Sequence, residues 1–130
     1  MWEYFEEIDA KISESGMMFI KAEREILGFD HTEIADWFSD KWNLPIFLRD
    51  LIIFHHAPLK AKQAARTAVV IHISDVLTRA VGFGSGCDNS MLIAEAEVVK
   101  SLNLSLSKIK EVLEKIDQEF VIAEELIMPN

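Results

Sequence analysis

The sequence predicts an all-α fold, a compact bundle of about six or seven helices, on the basis of two observations. Apolar residues recur at spacings of three and four along most of the 130 residues, which is the period of one helix face. No stretch alternates between apolar and polar residues for long enough to form a strand. Glycines and prolines divide the chain into segments of helical length, and there is no linker or internal repeat. We therefore expect a single domain over residues 1–130.

Residues 2–14 and 17–27 are predicted to form the first two helices. Gly16 interrupts the pattern between them, and Gly28 is the predicted C-terminal stop, because glycine readily adopts the left-handed conformation that ends many helices. The apolar face of the first helix consists of Trp2, Phe5, Ile8 and Ile12.

A third helix is predicted from Asp30 to about Trp42. Asp30 and Glu33 have the spacing of a capping box, in which each side chain accepts a hydrogen bond from the other residue's backbone N–H. Aromatic residues are frequent in and after this helix. We expect most of them to pack in the core, and any that stays exposed would indicate a partner surface. The set is Trp37, Phe38, Trp42, Phe47 and Phe54.

Two further helices are predicted between Pro45 and Val81. Pro45 suits the first position of a helix, because its missing N–H would be unpaired there, and Pro58 ends that helix after His55-His56. The next helix, from about Lys60 to Val81, is apolar nearly all round at its centre. This pattern predicts that it is buried on most sides.

Two C-terminal helices complete the prediction, over residues 91–102 and from about residue 107 onward. The segment Gly82–Gly86 between the helices resembles a phosphate-binding loop in composition only, because no strand precedes it and no Gly-Lys-Ser/Thr follows. We interpret it as a connector. Candidate N-caps of the two helices are Asp88, Asn89, Ser90, Ser105 and Ser107.

Charge and composition exclude several classes of function. The net charge of −9 opposes binding to nucleic acid, since neutralisation of phosphates drives most of that affinity. The apolar runs are too short to span a bilayer, so no membrane association is expected. Cys87 is the only cysteine and cannot form an internal disulfide, which favours a reducing, cytoplasmic setting.

The four histidines are concentrated between His31 and His72. Neutral imidazole is the commonest protein ligand of transition metals, and carboxylate is a natural co-ligand. His72 and Asp75 lie on one helix face, as a ligand pair or as a ligand and the carboxylate that orients it. Structural explanations stay open: a buried polar pair for His72 and Asp75, a favourable helix C-terminus for His55-His56, and a local hydrogen bond for His31.

Four runs of residues, in this order and spacing, resemble the HDOD family, the HD-related output domains of bacterial signalling proteins. The likeness spans about residues 20–120. The runs are Glu23-Arg24-Glu25-Ile26-Leu27-Gly28-Phe29-Asp30-His31, Trp42-Asn43-Leu44-Pro45, Ile53-Phe54-His55-His56-Ala57-Pro58 and Val70-Ile71-His72-Ile73-Ser74-Asp75.

The resemblance implies an HD-like helical fold and a role in signal transduction. The wider HD superfamily includes metal-dependent phosphohydrolases, among them cyclic-di-GMP phosphodiesterases, which hold metal with an adjacent His-Asp pair and further His and Asp ligands. The later ligand positions are matched here by His31, His55, His56 and Asp75, with His72 behind them. No His-Asp dipeptide occurs in this chain. We therefore expect the chain to correspond to the C-terminal part of an HDOD region, with an additional N-terminal helix.

Two hypotheses of function follow. The first is a non-catalytic signalling module that acts through protein partners, a homodimer among them, and has neither catalytic residues nor a cofactor. The second is a metal-dependent phosphohydrolase in which His31, His55, His56 and Asp75 hold Fe or Mn, an ion that activates water for attack on phosphate. Glu33 or Asp36 could then replace missing ligands.

Overall fold

The computed structural model describes residues 2–80 and 96–127, and these residues form α-helices, one short 3₁₀ turn and no strand. The predicted all-α bundle is therefore confirmed. Its helices within these ranges are α1 (Trp2–Ser15), α2 (Phe19–Leu27), α3 (His31–Lys41), α4 (Ile46–Phe54), α5 (Ala65–Ala80), α6 (Ala96–Ser101) and α7 (Leu106–Ile127), with the 3₁₀ turn Pro58–Lys60 between α4 and α5.

Helices α1 and α2 form a hairpin, and a glycine directly follows the C-terminal end of each helix. Gly16 and Gly28 have φ angles of 65° and 80°, in the left-handed region that side chains rarely adopt. The N–H of Gly28 donates to the carbonyl of Arg24 and ends α2 as predicted. Helix α2 begins at Phe19, two residues later than predicted, because Met18 is extended. The buried side chains between the two helices are Ile8, Ile12 and Ala22.

The predicted capping box at the start of α3 is confirmed. A carboxylate oxygen of Asp30 accepts hydrogen bonds from the N–H groups of Thr32 (2.8 Å) and Glu33 (3.2 Å). The Glu33 carboxylate in turn accepts the N–H of Asp30, at 3.1 Å. This cap fixes the first turn of α3, which packs against α4.

Helix α5 begins at Ala65 and not near Lys60 as predicted, and a buried carboxylate explains the difference. One oxygen of Asp50, on α4, accepts the N–H groups of Lys62 (2.7 Å), Gln63 (2.6 Å) and Ala64 (3.3 Å). These donors lie just ahead of α5, and the Asp50 carboxylate accepts their hydrogen bonds in place of helical carbonyls.

The burial of α5 and the boundaries of α4 differ from the sequence prediction. Val70 and Ile71 are 46% and 37% exposed, so α5 is not buried on most sides. Pro45 is the N-cap of α4 and not its first residue, and α4 ends at Phe54, before the paired histidines.

The C-terminal helices are only partly comparable with the prediction. The hydroxyl of Ser105 accepts the N–H of Lys108 at 3.2 Å, so Ser105 caps α7. The predicted connector Gly82–Gly86, the caps Asp88, Asn89 and Ser90, and Cys87 lie outside the described residues.

Buried apolar side chains in the described ranges form three small clusters: one between α1 and α2, one around Leu51 and Ala68, and one around Val69 and Val98. None of the helices in those ranges has the length and apolarity that crossing a bilayer requires.

Candidate metal centre

Three histidines meet where the start of α3 faces the end of α4. His31 is the first residue of α3, and His55 and His56 directly follow α4. The Nε2 atom of His31 lies 3.3 Å from Nε2 of His55 and 3.1 Å from Nε2 of His56. Because α3 and α4 pack together, residues 24 and 25 positions apart in the chain bring their ring nitrogens to one point. All three side chains are half-buried.

The opposite ring nitrogens of two of these histidines are already occupied. Nδ1 of His31 donates to the buried carboxylate of Glu23, at 2.5 Å. Nδ1 of His55 donates to the backbone carbonyl of Ile52, at 2.7 Å. Both acceptors lack protons, so each neutral ring carries its hydrogen on Nδ1 and turns a bare Nε2 lone pair toward the centre.

Two bare nitrogens 3.3 Å apart repel each other unless a positive charge or a proton lies between them. His56 can satisfy one of them by donating from its own Nε2. A transition-metal ion can satisfy all three, since imidazole nitrogen is its preferred ligand and the outer partners of Nδ1 are those typical of metal-bound histidine. The donor set therefore fits one divalent ion, with His31, His55 and His56 as its ligands.

Burial keeps the paired histidines uncharged. It lowers the pKa of His56 to about 4, with the positive potential of His55 and His31 acting in the same direction. Burial also lowers the pKa of His55, against the opposing effect of the Ile52 carbonyl. Neutral imidazole is the form that binds metal, so protons do not compete for these two rings at neutral pH.

Asp75 and Arg79, both on α5, border a cavity of about 260 Å³ that also contains the three histidines. A carboxylate oxygen of Asp75 accepts a hydrogen bond from Nε of Arg79, at 3.1 Å. Among the described residues, one group of three potential ligand atoms lies within 4.8 Å of one another, and its members are ring nitrogens of the three histidines. Asp75 is thus close to the centre, but the structure does not bring it into the ligand group.

His72 supports the centre from behind. Its Nδ1 donates to the backbone carbonyl of His55 at 2.8 Å, and the side chain is 6% exposed. The bond holds the chain segment that bears His55. His72 therefore bonds to that backbone rather than to Asp75, the partner considered from the sequence.

Neither suggested substitute ligand belongs to the group of close ligand atoms among the described residues. Glu33 completes the α3 capping box and lies 3.6 Å from Nη2 of Arg24. Asp36 accepts a hydrogen bond from Nε of Arg49, at 2.8 Å. Both carboxylates line a second cavity, which His56 also lines.

Sequence reasoning overlooked two residues of the site, Glu23 and Arg79. Glu23 is an acidic residue on an otherwise apolar helix face, eight positions before His31, and only the α2–α3 turn brings the two together. Arg79 follows Asp75 by one helical turn, a spacing at which an ion pair forms, and this signal is readable from the sequence.

A family model described as HDOD domain matches residues 1–58. No curated protein and no solved structure matches the chain. The matched segment contains α1 to α4 with His31, His55 and His56. It also contains α1, which the resemblance over residues 20–120 had left outside. The N-terminal segment, residues 1–58, is thus similar to an HDOD domain.

Proposed function

We propose that this protein is a non-catalytic regulatory module that passes a signal on through contacts with protein partners in the cytoplasm. The HDOD match supports the class of output domain. The observation that carries the proposal is an exposed set of aromatic rings on and just after α3, which we call the aromatic surface and define as Trp37, Phe38 and Trp42.

The three rings of the aromatic surface are exposed and lie side by side. Trp37 and Trp42 are 59% and 65% exposed, and Phe38, between them, is 37% exposed. The ring centroids of Trp37 and Phe38 are 4.9 Å apart, and those of Phe38 and Trp42 are 5.0 Å apart. The sequence predicts core packing for most of the aromatic set, and the exposure of these three rings contradicts that prediction. Large aromatic side chains are enriched where proteins bind one another, so this exposure favours a partner.

The small number of candidate metal ligands also favours a module over an enzyme. The sequence contains no His-Asp dipeptide, and Asp75 is paired with Arg79. Within the described ranges the ligand group is three imidazoles, sufficient for a single ion but not for a pair.

A second copy of the chain is the partner that we propose to test first. Light scattering across a dilution series should show an average mass above the monomer that falls when Trp37→Ser and Trp42→Ser are combined. Leu106→Ser is the matched control, because Leu106 is 86% exposed but lies on α7. A constant monomer mass for the unaltered chain would rule out the homodimer.

The second candidate function is a metal-dependent phosphohydrolase, favoured by the converging Nε2 atoms. His31, His55 and His56 would hold Fe or Mn, and the ion would supply an acidified water near phosphate. Elemental analysis of protein purified without added metal tests this candidate. About one equivalent of metal, lost together with hydrolysis of a generic phosphodiester in the His55→Ala/His56→Ala variant, supports it, and a wild type without metal or activity contradicts it.

A further inference from the structure

A cavity of about 420 Å³ lies between α2, α3, α4 and the 3₁₀ turn, next to the candidate metal centre. Its volume is within the range of small-molecule sites. His56 lines both this cavity and the one around the histidines, so the two are neighbours. None of the functions considered above uses this cavity.

The charged groups around the cavity leave a positive excess. Its acidic lining residues are Glu33, which pairs with Arg24, and Asp36, which pairs with Arg49. Arg24 also pairs with buried Asp30. The two lysines of the lining, Lys21 and Lys60, have no ion pair within the part of the chain that the structure describes. These two ammonium groups stand out against the net charge of −9 of the whole chain.

The remaining wall is mainly apolar. Met18 and Ile20 come from the α1–α2 side, and Ile53 and Phe54 come from α4. Phe54 also packs on the buried cluster around Leu51, which holds this wall in place. Apolar walls with a few placed polar groups are typical of cavities that bind organic molecules.

We propose that this cavity binds a small organic anion, a phosphate or carboxylate whose head contacts Lys21 and Lys60 and whose apolar body packs on Ile53 and Phe54. The ammonium groups supply charge-assisted hydrogen bonds to the head, and the apolar wall removes the body from water. The ligand would give the regulatory module a chemical input, and it binds whichever of the two proposed functions holds.

Phenyl phosphate, benzoate and benzyl alcohol are suitable probes, because they share an aromatic body and differ in the head group. The protein is titrated with each probe in the presence of EDTA, and the amide chemical shifts are followed. We expect saturable binding of one or both anions and weaker binding of the alcohol. We expect Lys21→Gln and Lys60→Gln each to raise the Kd of the tighter anion about fivefold. These lysines are exposed, so the variants should fold, which circular dichroism checks.

Lys62→Gln is the matched control, since it removes the same charge two residues from Lys60 but outside the cavity. The Kd should stay within about twofold of wild type in this variant and in His31→Ala, which does not line the cavity. Three results would overturn the proposal: no saturable binding of either anion, equal binding of benzyl alcohol, or an equal loss in Lys62→Gln. Preference for phenyl phosphate or for benzoate identifies the head group.

Discussion

At the scale of single residues, the neighbours of each histidine decide what the cluster can do. Glu23 and the Ile52 carbonyl accept hydrogen bonds from Nδ1 of His31 and of His55, which leaves the Nε2 atom of each ring to face the other histidines. His72 fixes the backbone of His55. The histidine pattern is visible in the sequence, but the ring nitrogen that each residue offers depends on these contacts.

Glu23→Gln should weaken Mn²⁺ binding about tenfold, because a neutral amide no longer holds the His31 ring as firmly through Nδ1. The decrease of the free Mn²⁺ electron paramagnetic resonance signal during titration measures the affinity. Glu25→Gln is the control: it removes the same charge from the same helix at a residue that pairs with Lys11. Equal affinities in wild type and Glu23→Gln would show that Glu23 does not position the ring.

Asp30→Ala should lower the free energy of unfolding by about 2 kcal/mol, at the upper end for loss of an N-cap. Asp30 is fully buried and accepts from the N–H of Thr32 and from Nε of Arg24, and its removal leaves these donors without a partner. Urea unfolding measures the change. Asp40→Ala, whose carboxylate is 75% exposed, should cost far less, and equal losses would contradict the role of the cap.

At the scale of helices, side chains of one element determine where another begins. Asp50 on α4 delays the start of α5 to Ala65 by accepting three backbone N–H groups. A carboxylate thus ties α4 and α5 together across the 3₁₀ turn, and these are the elements between which the paired histidines lie.

Asp50→Asn should lower the melting temperature, and more so at neutral than at acid pH. The pKa of Asp50 lies below its ordinary value of 3.8, because its carboxylate accepts hydrogen bonds from the backbone N–H groups of Gln63, Lys62 and Ala64. The positive charge of Lys62 acts in the same direction, and burial acts against it. A depressed pKa in the folded state gives stability that is complete above the unfolded value and lost as pH falls through the folded one.

Thermal unfolding of wild type and Asp50→Asn between pH 7 and pH 3 tests this sign. The difference in melting temperature should be full at pH 7 and shrink toward pH 3. Asp117→Asn, at an exposed position of α7, should match wild type throughout. A difference that grows on acidification would contradict the assignment.

Local signals predicted the helices well and their long-range adjustments poorly. The Asp30–Glu33 box and the stop at Gly28 depend on neighbours within a turn, so they are readable from the sequence. The start of α5 depends on Asp50, more than ten positions away, and the exposure of Trp37 and Trp42 depends on which helix faces pack. Neither is encoded in local periodicity.

At the scale of the whole molecule, the residues that the structure describes enclose little apolar surface fully. The described ranges contain three small buried clusters, while Trp37, Trp42 and Ile46 are more than half exposed. Such a distribution suits a module that completes its packing against a partner. The clustering of His31, His55 and His56 was predicted as a candidate ligand set. Its geometry needed the packing of α3 on α4, and Asp75 remains at the edge of that group.

The claim that this protein transmits a signal and does not catalyse a reaction is tested most directly by hydrolysis of bis(p-nitrophenyl) phosphate with saturating Mn²⁺ or Fe²⁺. We predict the same background rate for wild type and for a variant with His31, His55 and His56 all replaced by alanine. Metal-dependent turnover by wild type that disappears in this variant would contradict the claim and establish the phosphohydrolase.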